Sequence, residues 1–371
     1  MKVLENIKKN FSKRAILENL HVVIFLMIIF LIPIASVITP DKTFSDYENR
    51  ELQTFPKFSL KAVFDAEFQS DFESYMNDQI VLRNNMVSMK NYLEAAQMKL
   101  AINGVYKAED GFYIERHPDT EYDIDKVNKN VAALNKFVVT YGAEVYLVPN
   151  ANVILKDKVI FTNDADIDSL LSGVANHTFV DDVLMNYEGD PSDLYYKTDH
   201  HWTTIAAYEL YRNIVDNPVD KMLIPVSTEF LGTIHNKLNI SMLPDTIYRQ
   251  DSDTSFEAYY DLGSQNLGLY FDDYLAKKDK YAYFLDANHG LVQIKNNDIQ
   301  SNERLLIIKD SYANCLIPFL AENYKEVDVI DLRFFNLPIS SYLKSNEYDR
   351  IIVLYNKNGF ATNDDAYKLG Y

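Results

Sequence analysis

The last seventy residues constrain the fold more than any other stretch. Three short apolar runs, L-L-I-I-K at 305–309, V-D-V-I-D-L at 327–332 and I-I-V-L-Y at 351–355, alternate with segments of helical character at 312–324 and 340–347. The runs have the length and β-branched content of buried strands. Pro318 marks a kink or restart in the first helical segment. Strand, helix, strand, helix, strand implies crossover connections and parallel pairing. A parallel sheet in turn needs both of its faces covered. The same unit is legible upstream. A helix is expected over 123–140, with Ile124, Val127, Val131, Leu134 and Val138 on one face and Gly142 ending it. The buried strand E-V-Y-L-V at 144–148 follows. The expectation is an α/β fold with a mostly parallel sheet. Functional side chains in such sheets gather past the carboxyl ends of the strands, where Ser311 and Asn356 both fall.

The rest of the chain adds an N-terminal element and an accessory region. Residues 20–39 contain no formal charge and are long enough to span a hydrocarbon core. Residues 1–19 carry five basic side chains against two acidic ones, so the net charge of −18 leaves −21 on the remainder. The basic flank is expected to stay cytoplasmic and the acidic bulk to lie outside. This reads as a signal anchor over 20–40 behind a tail at 1–19, the alternative being a cleaved signal peptide. Residues 41–104 form a connector and a helical region, with amphipathic helix over 61–100, in which Asp78 and Arg83 suit a solvated face or an ion pair. The main domain covers 105–371, with a hairpin turning at Asp110-Gly111, a helix over 203–215, a short strand at 281–285, and 220–280 as an insertion of loops and short strands. So acidic a chain is a poor partner for nucleic acid. Its single cysteine, Cys315, excludes an intrachain disulfide or a cysteine-cluster zinc site.

Chemistry concentrates in Y-Y-K-T-D-H-H-W-T-T at 195–204. Two of the chain's seven histidines are adjacent here, behind Asp199 and before the only tryptophan, Trp202. A carboxylate beside an imidazole orients the ring and stabilises its protonated form, which suits a general base. Ser311 opens a helix after a strand, where the backbone N–H groups of a helix start face any anion formed beside it. That suits a nucleophile, although the same position also favours a plain N-cap serine. Asp199 and His201 are then orienter and base, with His200 as the rival base. Asn356, and second Asn288, are candidates to donate an amide N–H to an oxyanion. A metal site built on Asp199, His200, His201 and a further carboxylate such as Asp193 is the competing chemistry. Cys315 suits buried packing.

These residues carry a resemblance. T-D-H-H-W-T resembles the motif that names the DHHW proteins of Gram-positive bacteria. Those proteins are similar to the alginate O-acetyltransferase proteins, whose SGNH-hydrolase-like domain has a T-D-x-H-W version. E-N-R-E-L-x-x-F-P (48–56), D-Q-x-x-x-R (78–83), D-G-F-Y-I (110–114), K-D-S-Y-A-N (309–314), I-P-F-L (317–320) and D-L-R (331–333) fall in the family's order. The resemblance covers about residues 41–360. It implies an SGNH-hydrolase-like three-layer fold in permuted order, with a triad of Ser311, His201 and Asp199. Asn356 falls where the family offers an oxyanion asparagine; His200, Trp202, Asn288 and Arg333 are expected to bind substrate or support the site. One departure is Lys309, where the family usually has glycine. The implied activity is an extracytoplasmic O-acyltransferase or esterase, O-acetyl in type, acting on a cell-surface polysaccharide. No cofactor is implied. The implied partner is a membrane-bound O-acyltransferase that supplies the acyl group. The alternative is a non-catalytic glycan-binding or scaffold component of an acylation complex.

Overall fold

The computed structural model describes residues 19–45, 50–159 and 164–371. The basic tail, 1–18, and the first two residues of the 48–56 motif lie outside the described residues. The chain divides into two compact units, Met1–Tyr92 and Leu93–Tyr371.

The first unit begins with α1 (Leu20–Ile38), of mean hydropathy 2.8, which among the described residues is the one helix long and apolar enough to cross a membrane. The single helix expected over 61–100 is three pieces: a short helix, Leu60–Phe64, then α2 (Glu67–Gln79) and α3 (Arg83–Ala96). The breaks fall at Ala66 and near Leu82, whose φ values of 59° and 64° are left-handed. The second break has a visible cause. Val81 N–H donates to the Ser36 hydroxyl at 2.9 Å, and Gln53 N–H donates to the Asp78 carboxylate at 2.9 Å. The Gln79 amide also bonds the backbone of Lys42 and Gln53. Local hydrogen bonds of this kind compete with helix continuation.

The second unit is built on a seven-stranded sheet: β1 (Glu144–Val148), β2 (His177–Phe179), β3 (Phe256–Tyr260), β4 (Leu291–Asn296), β5 (Arg304–Lys309), β6 (Glu326–Ile330) and β7 (Arg350–Asn356). Their order across the sheet is β3-β4-β6-β5-β7-β1-β2. The five strands from β6 to β2 pair parallel, as expected, while β3 and β4 add antiparallel at one edge. Residues 220–280 therefore contribute the edge strand β3 besides their own hairpin, Leu223–Phe230 against Asp245–Gln250. Short strands are expected in this stretch, and three form. The expected strand at 281–285 is instead a helical turn followed by a left-handed bend.

Alternation along β5 makes the three layers. Leu305 and Ile307 pack on one face with Ala206, Leu210 and Trp202. Leu306 and Ile308 pack on the other with Val127, Leu134 and Phe137. The first set comes mostly from α5 (Thr204–Ile214) and the second from α4 (Ile124–Tyr141). All four strand residues are fully buried, each worth roughly 1.5–3 kcal/mol relative to exposure. The helix α4 starts where Asp123 accepts Asp125 and Lys126 N–H and ends at Gly142, φ 69°. The hairpin at Asp110-Gly111 also forms, pairing Tyr106 with Ile114.

Candidate active site

The loop preceding α5 is closed by a bridge between Tyr195 and Trp202. The Asp245 carboxylate accepts the backbone N–H of Lys197 (2.9 Å) and Thr198 (2.8 Å), fixing the turn. Trp202 is fully buried and donates its Nε1–H to the Tyr312 carbonyl at 2.7 Å. The tryptophan of the motif therefore supports the site from the core and ties the histidine loop to the serine turn.

That turn begins immediately past β5. Asp310 caps it, its Oδ1 accepting Tyr312 N–H at 3.0 Å and its Oδ2 accepting Asn356 N–H at 2.8 Å. Ser311 is thereby set at the carboxyl edge of the sheet, facing His201. His201 Nε2 lies 2.9 Å from Ser311 Oγ, and His201 Nδ1 lies 2.6 Å from Asp199 Oδ1. Asp199 Oδ1 also accepts His201 N–H at 2.9 Å, while its Oδ2 accepts Thr233 N–H at 2.8 Å and the Thr233 hydroxyl at 3.0 Å. A Cβ on Gly232 would sit 2.3 Å from Asp199 Oδ2, so only glycine lets this backbone approach. The helix that follows, α6 (Thr233–Leu238), starts on the carboxylate.

Burial alone would raise the Asp199 pKa. The two imidazoles and the hydrogen bonds from His201 and Thr233 outweigh it, and hold the carboxyl well below the usual carboxylate range. Burial pushes His201 down to about 4, with the neighbouring His200 and Arg333 acting in the same direction and Asp199 opposing. At neutral pH the ring is uncharged. With Nδ1–H directed at Asp199, Nε2 carries the lone pair that faces the Ser311 hydroxyl. The Tyr281 ring stacks on His201, centroids 4.0 Å apart, and its hydroxyl bonds the Ser311 carbonyl at 3.2 Å.

The remaining expected residues fall in different places. His200 is part-exposed, its Nδ1 2.6 Å from the Thr233 hydroxyl and its ring against His201 at 3.9 Å. Asn356 is the N-cap of α7 (Lys357–Thr362). Its Oδ1 accepts Gly359 N–H at 2.8 Å, and its amide donates to Val148 O (3.2 Å) and Asn150 Oδ1 (2.6 Å). Both amide hydrogens are spent on the scaffold, so Asn356 has none left for the oxyanion it was expected to face. The backbone N–H of Ser311 donates to no group among the described residues. Arg333 forms a two-pronged pair with Asp331, at 2.9 and 2.6 Å. Asn288 lies beside the buried Lys309. Cys315 is buried, which pushes its thiol up to about 12.

Asp199, His200 and His201 do offer ligand atoms within 4.8 Å of one another. Asp193 is not in that group; its carbonyl accepts the Thr203 hydroxyl. Both Asp199 oxygens and both His201 nitrogens are committed to the hydrogen bonds above. Thr233, Gly232, Tyr281 and Asn150 escaped the sequence, because each reaches the site only through the fold.

Residues 176–330 match the model of the DHHW protein family. No curated protein sequence matches the chain. The fold is similar to that of a DHHW family protein from Eubacterium siraeum, 21% identical over 72% of this chain and 95% of that one, with a TM-score of 0.57. It is also similar to Bacillus cereus PatB1 with a sulfonyl adduct, 18% identical over 72% and 100%, TM-score 0.58. A further structure of PatB1 is 20% identical over 71% and 99%, TM-score 0.57. The matched segment holds Asp199, His201 and Ser311, and the resemblance read from T-D-H-H-W-T is borne out: this chain is related to the DHHW proteins.

Proposed function

We propose that this chain is an extracytoplasmic, serine-dependent O-acyltransferase or esterase, O-acetyl in type, that acts on a cell-surface polysaccharide. The observation that carries the reading is the unbroken hydrogen-bonded line from Asp199 through His201 to Ser311. In the first half-reaction Ser311 Oγ bonds to the acyl carbon and its proton passes to His201 Nε2. The carbonyl electrons become an oxyanion, which the free N–H of Ser311 is placed to receive. Collapse breaks the bond to the donor's leaving oxygen, which takes the proton from His201. In the second half a sugar hydroxyl attacks the acyl-serine, gives its proton to His201, and leaves as the ester while Ser311 recovers its proton. Water in place of the sugar gives hydrolysis.

The resemblance supports the acyl group and the polymer class. It also supports a membrane-bound O-acyltransferase as the source of the acyl group. The helix α1 supports an anchor at 20–40 that leaves the domain at 105–371 outside the membrane. The test is turnover of p-nitrophenyl acetate by the full chain in detergent, beside Ser311→Ala and with EDTA. Turnover lost in the variant and kept in EDTA is expected. Turnover kept in Ser311→Ala and lost in EDTA would replace the triad with a metal centre at Asp199, His200 and His201.

A further inference from the structure

The acyl-transfer mechanism leaves one buried charge unexplained. Lys309 is the last residue of β5, two positions before Ser311, and is 2% exposed. Its ammonium has three hydrogens and three acceptors: Asn314 Oδ1 at 2.7 Å, Asn288 Oδ1 at 3.2 Å and Asp331 Oδ2 at 3.5 Å. An ammonium cannot accept a hydrogen bond, so it fixes which way each amide points. Asn314 must turn its oxygen to Lys309, and its Nδ2 then donates to Ala287 O at 2.9 Å and Asn288 Oδ1 at 3.3 Å. Asn288 must likewise turn its oxygen inward, held by two donors. Its own Nδ2 donates to no group among the described residues.

The backbone around Asn288 is also held. Leu285, Asp286 and Ala287 lie in succession in the left-handed region, with φ of 58°, 53° and 69°. Three non-glycine residues stay there only where their surroundings demand it. Ala287 N–H is tied to Ala282 O, and Asp331 N–H to Gly290 O. The same loop begins at Tyr281, which stacks on His201 and bonds the Ser311 carbonyl. Asn288 lies three residues before β4, whose first residue pairs with the last of β6 at the carboxyl edge of the sheet, and its contact with Lys309 brings it to the end of β5.

We propose that Asn288 is the side-chain oxyanion donor of this site, and that Lys309 is the positioning residue that aims it. The inference rests on the acyl-transfer reading above. It gives the donor role to the asparagine with an uncommitted N–H, in place of Asn356, whose amide caps α7.

The test is a double-mutant cycle on the full chain, with kcat and KM for p-nitrophenyl acetate measured for wild type, Ser311→Ala, Asn288→Ala, Asn288→Asp, Lys309→Met and the Asn288→Ala/Lys309→Met pair. Losing one oxyanion donor lowers kcat by about a hundredfold to a thousandfold, with KM changed by less than about threefold. Asn288→Asp keeps the acceptor for Lys309 and loses the donor, so it falls as far as Asn288→Ala. Lys309→Met lowers kcat by about tenfold to a hundredfold through misplacement, and costs less than about twofold once Asn288 is gone. If Lys309→Met does not fold, the two Asn288 variants decide. Asn288 variants within about threefold of wild type, beside an inactive Ser311→Ala, would overturn this inference alone. Losses that multiply in the double variant would remove Lys309 from it. A wild type no faster than Ser311→Ala would overturn the acyl-transfer reading and this inference with it.

Discussion

Asp199→Asn changes one atom of the hydrogen-bonded line and tests its polarity. Asp199 accepts four hydrogen bonds, two from His201 and two from Thr233, at 2.6 to 3.0 Å. An asparagine there has only one oxygen. With that oxygen toward His201, its NH₂ meets Thr233 N–H donor to donor. Turned round, its NH₂ meets His201 N–H and makes His201 Nδ1 the acceptor, which puts the ring proton on Nε2. The ring then cannot take the Ser311 proton. Either way one buried donor is unpaired, a stability cost of about 1–3 kcal/mol. The developing imidazolium also loses its carboxylate. By the precedent of serine-protease triads, kcat should fall about 10³–10⁴-fold, equal to about 4–5.5 kcal/mol of barrier. The assay is p-nitrophenyl acetate turnover with thermal melts on the same preparations. A variant that keeps kcat within about fivefold of wild type while remaining folded would refute the orienting role of Asp199.

Other outcomes follow from the same contacts. His201 is held neutral down to about pH 4, so kcat/KM should stay level from neutral pH and fall on an ionisation near 4; a fall centred near 6.5 would contradict the buried ring. Its folded pKa lies below the unfolded value, so the unfolded chain binds more protons between them, and urea stability should drop as pH falls from 6.5 toward 4. Gly232→Ala drives a methyl into Asp199 Oδ2 and should lower kcat at least about tenfold, read in the same esterase assay. Trp202→Phe removes the bond to the Tyr312 carbonyl and leaves a gap in the core. It should cost about 2 kcal/mol in chemical denaturation.

Much of this arrangement is legible in the sequence where local chemistry decides it. The runs at 305–309, 327–332 and 351–355 are mostly apolar because both faces of the parallel sheet are covered, with Asp328 taken up by the Tyr342 and Tyr348 hydroxyls. The strands β3 and β4 carry Glu257, Gln293 and Lys295, and their pairing is set by partners far along the chain, so periodicity alone does not mark them. Y-A-Y-F-L at 281–285 looks like a strand, but Tyr281 is committed to His201 and Leu285 turns left-handed. Asp199, His201 and Ser311 stand out as residue types in fitting local settings. Asn356 occupies a place that suits a ligand-facing amide and equally a helix cap, and the cap is what forms. Thr233, on the far side of Asp199, has no signal in the sequence, because its N–H reaches the carboxylate only through the turn at Gly232.

The most direct measurement is covalent capture of the nucleophile. The full chain would be treated with a phenylmethanesulfonyl fluoride reagent at neutral pH, digested, and mapped by mass spectrometry. A single adduct on Ser311, lost in Ser311→Ala and formed far more slowly in His201→Ala, is the predicted result. An unmodified Ser311 in active wild-type protein, or equal labelling in His201→Ala, would contradict a nucleophile activated by His201 and Asp199.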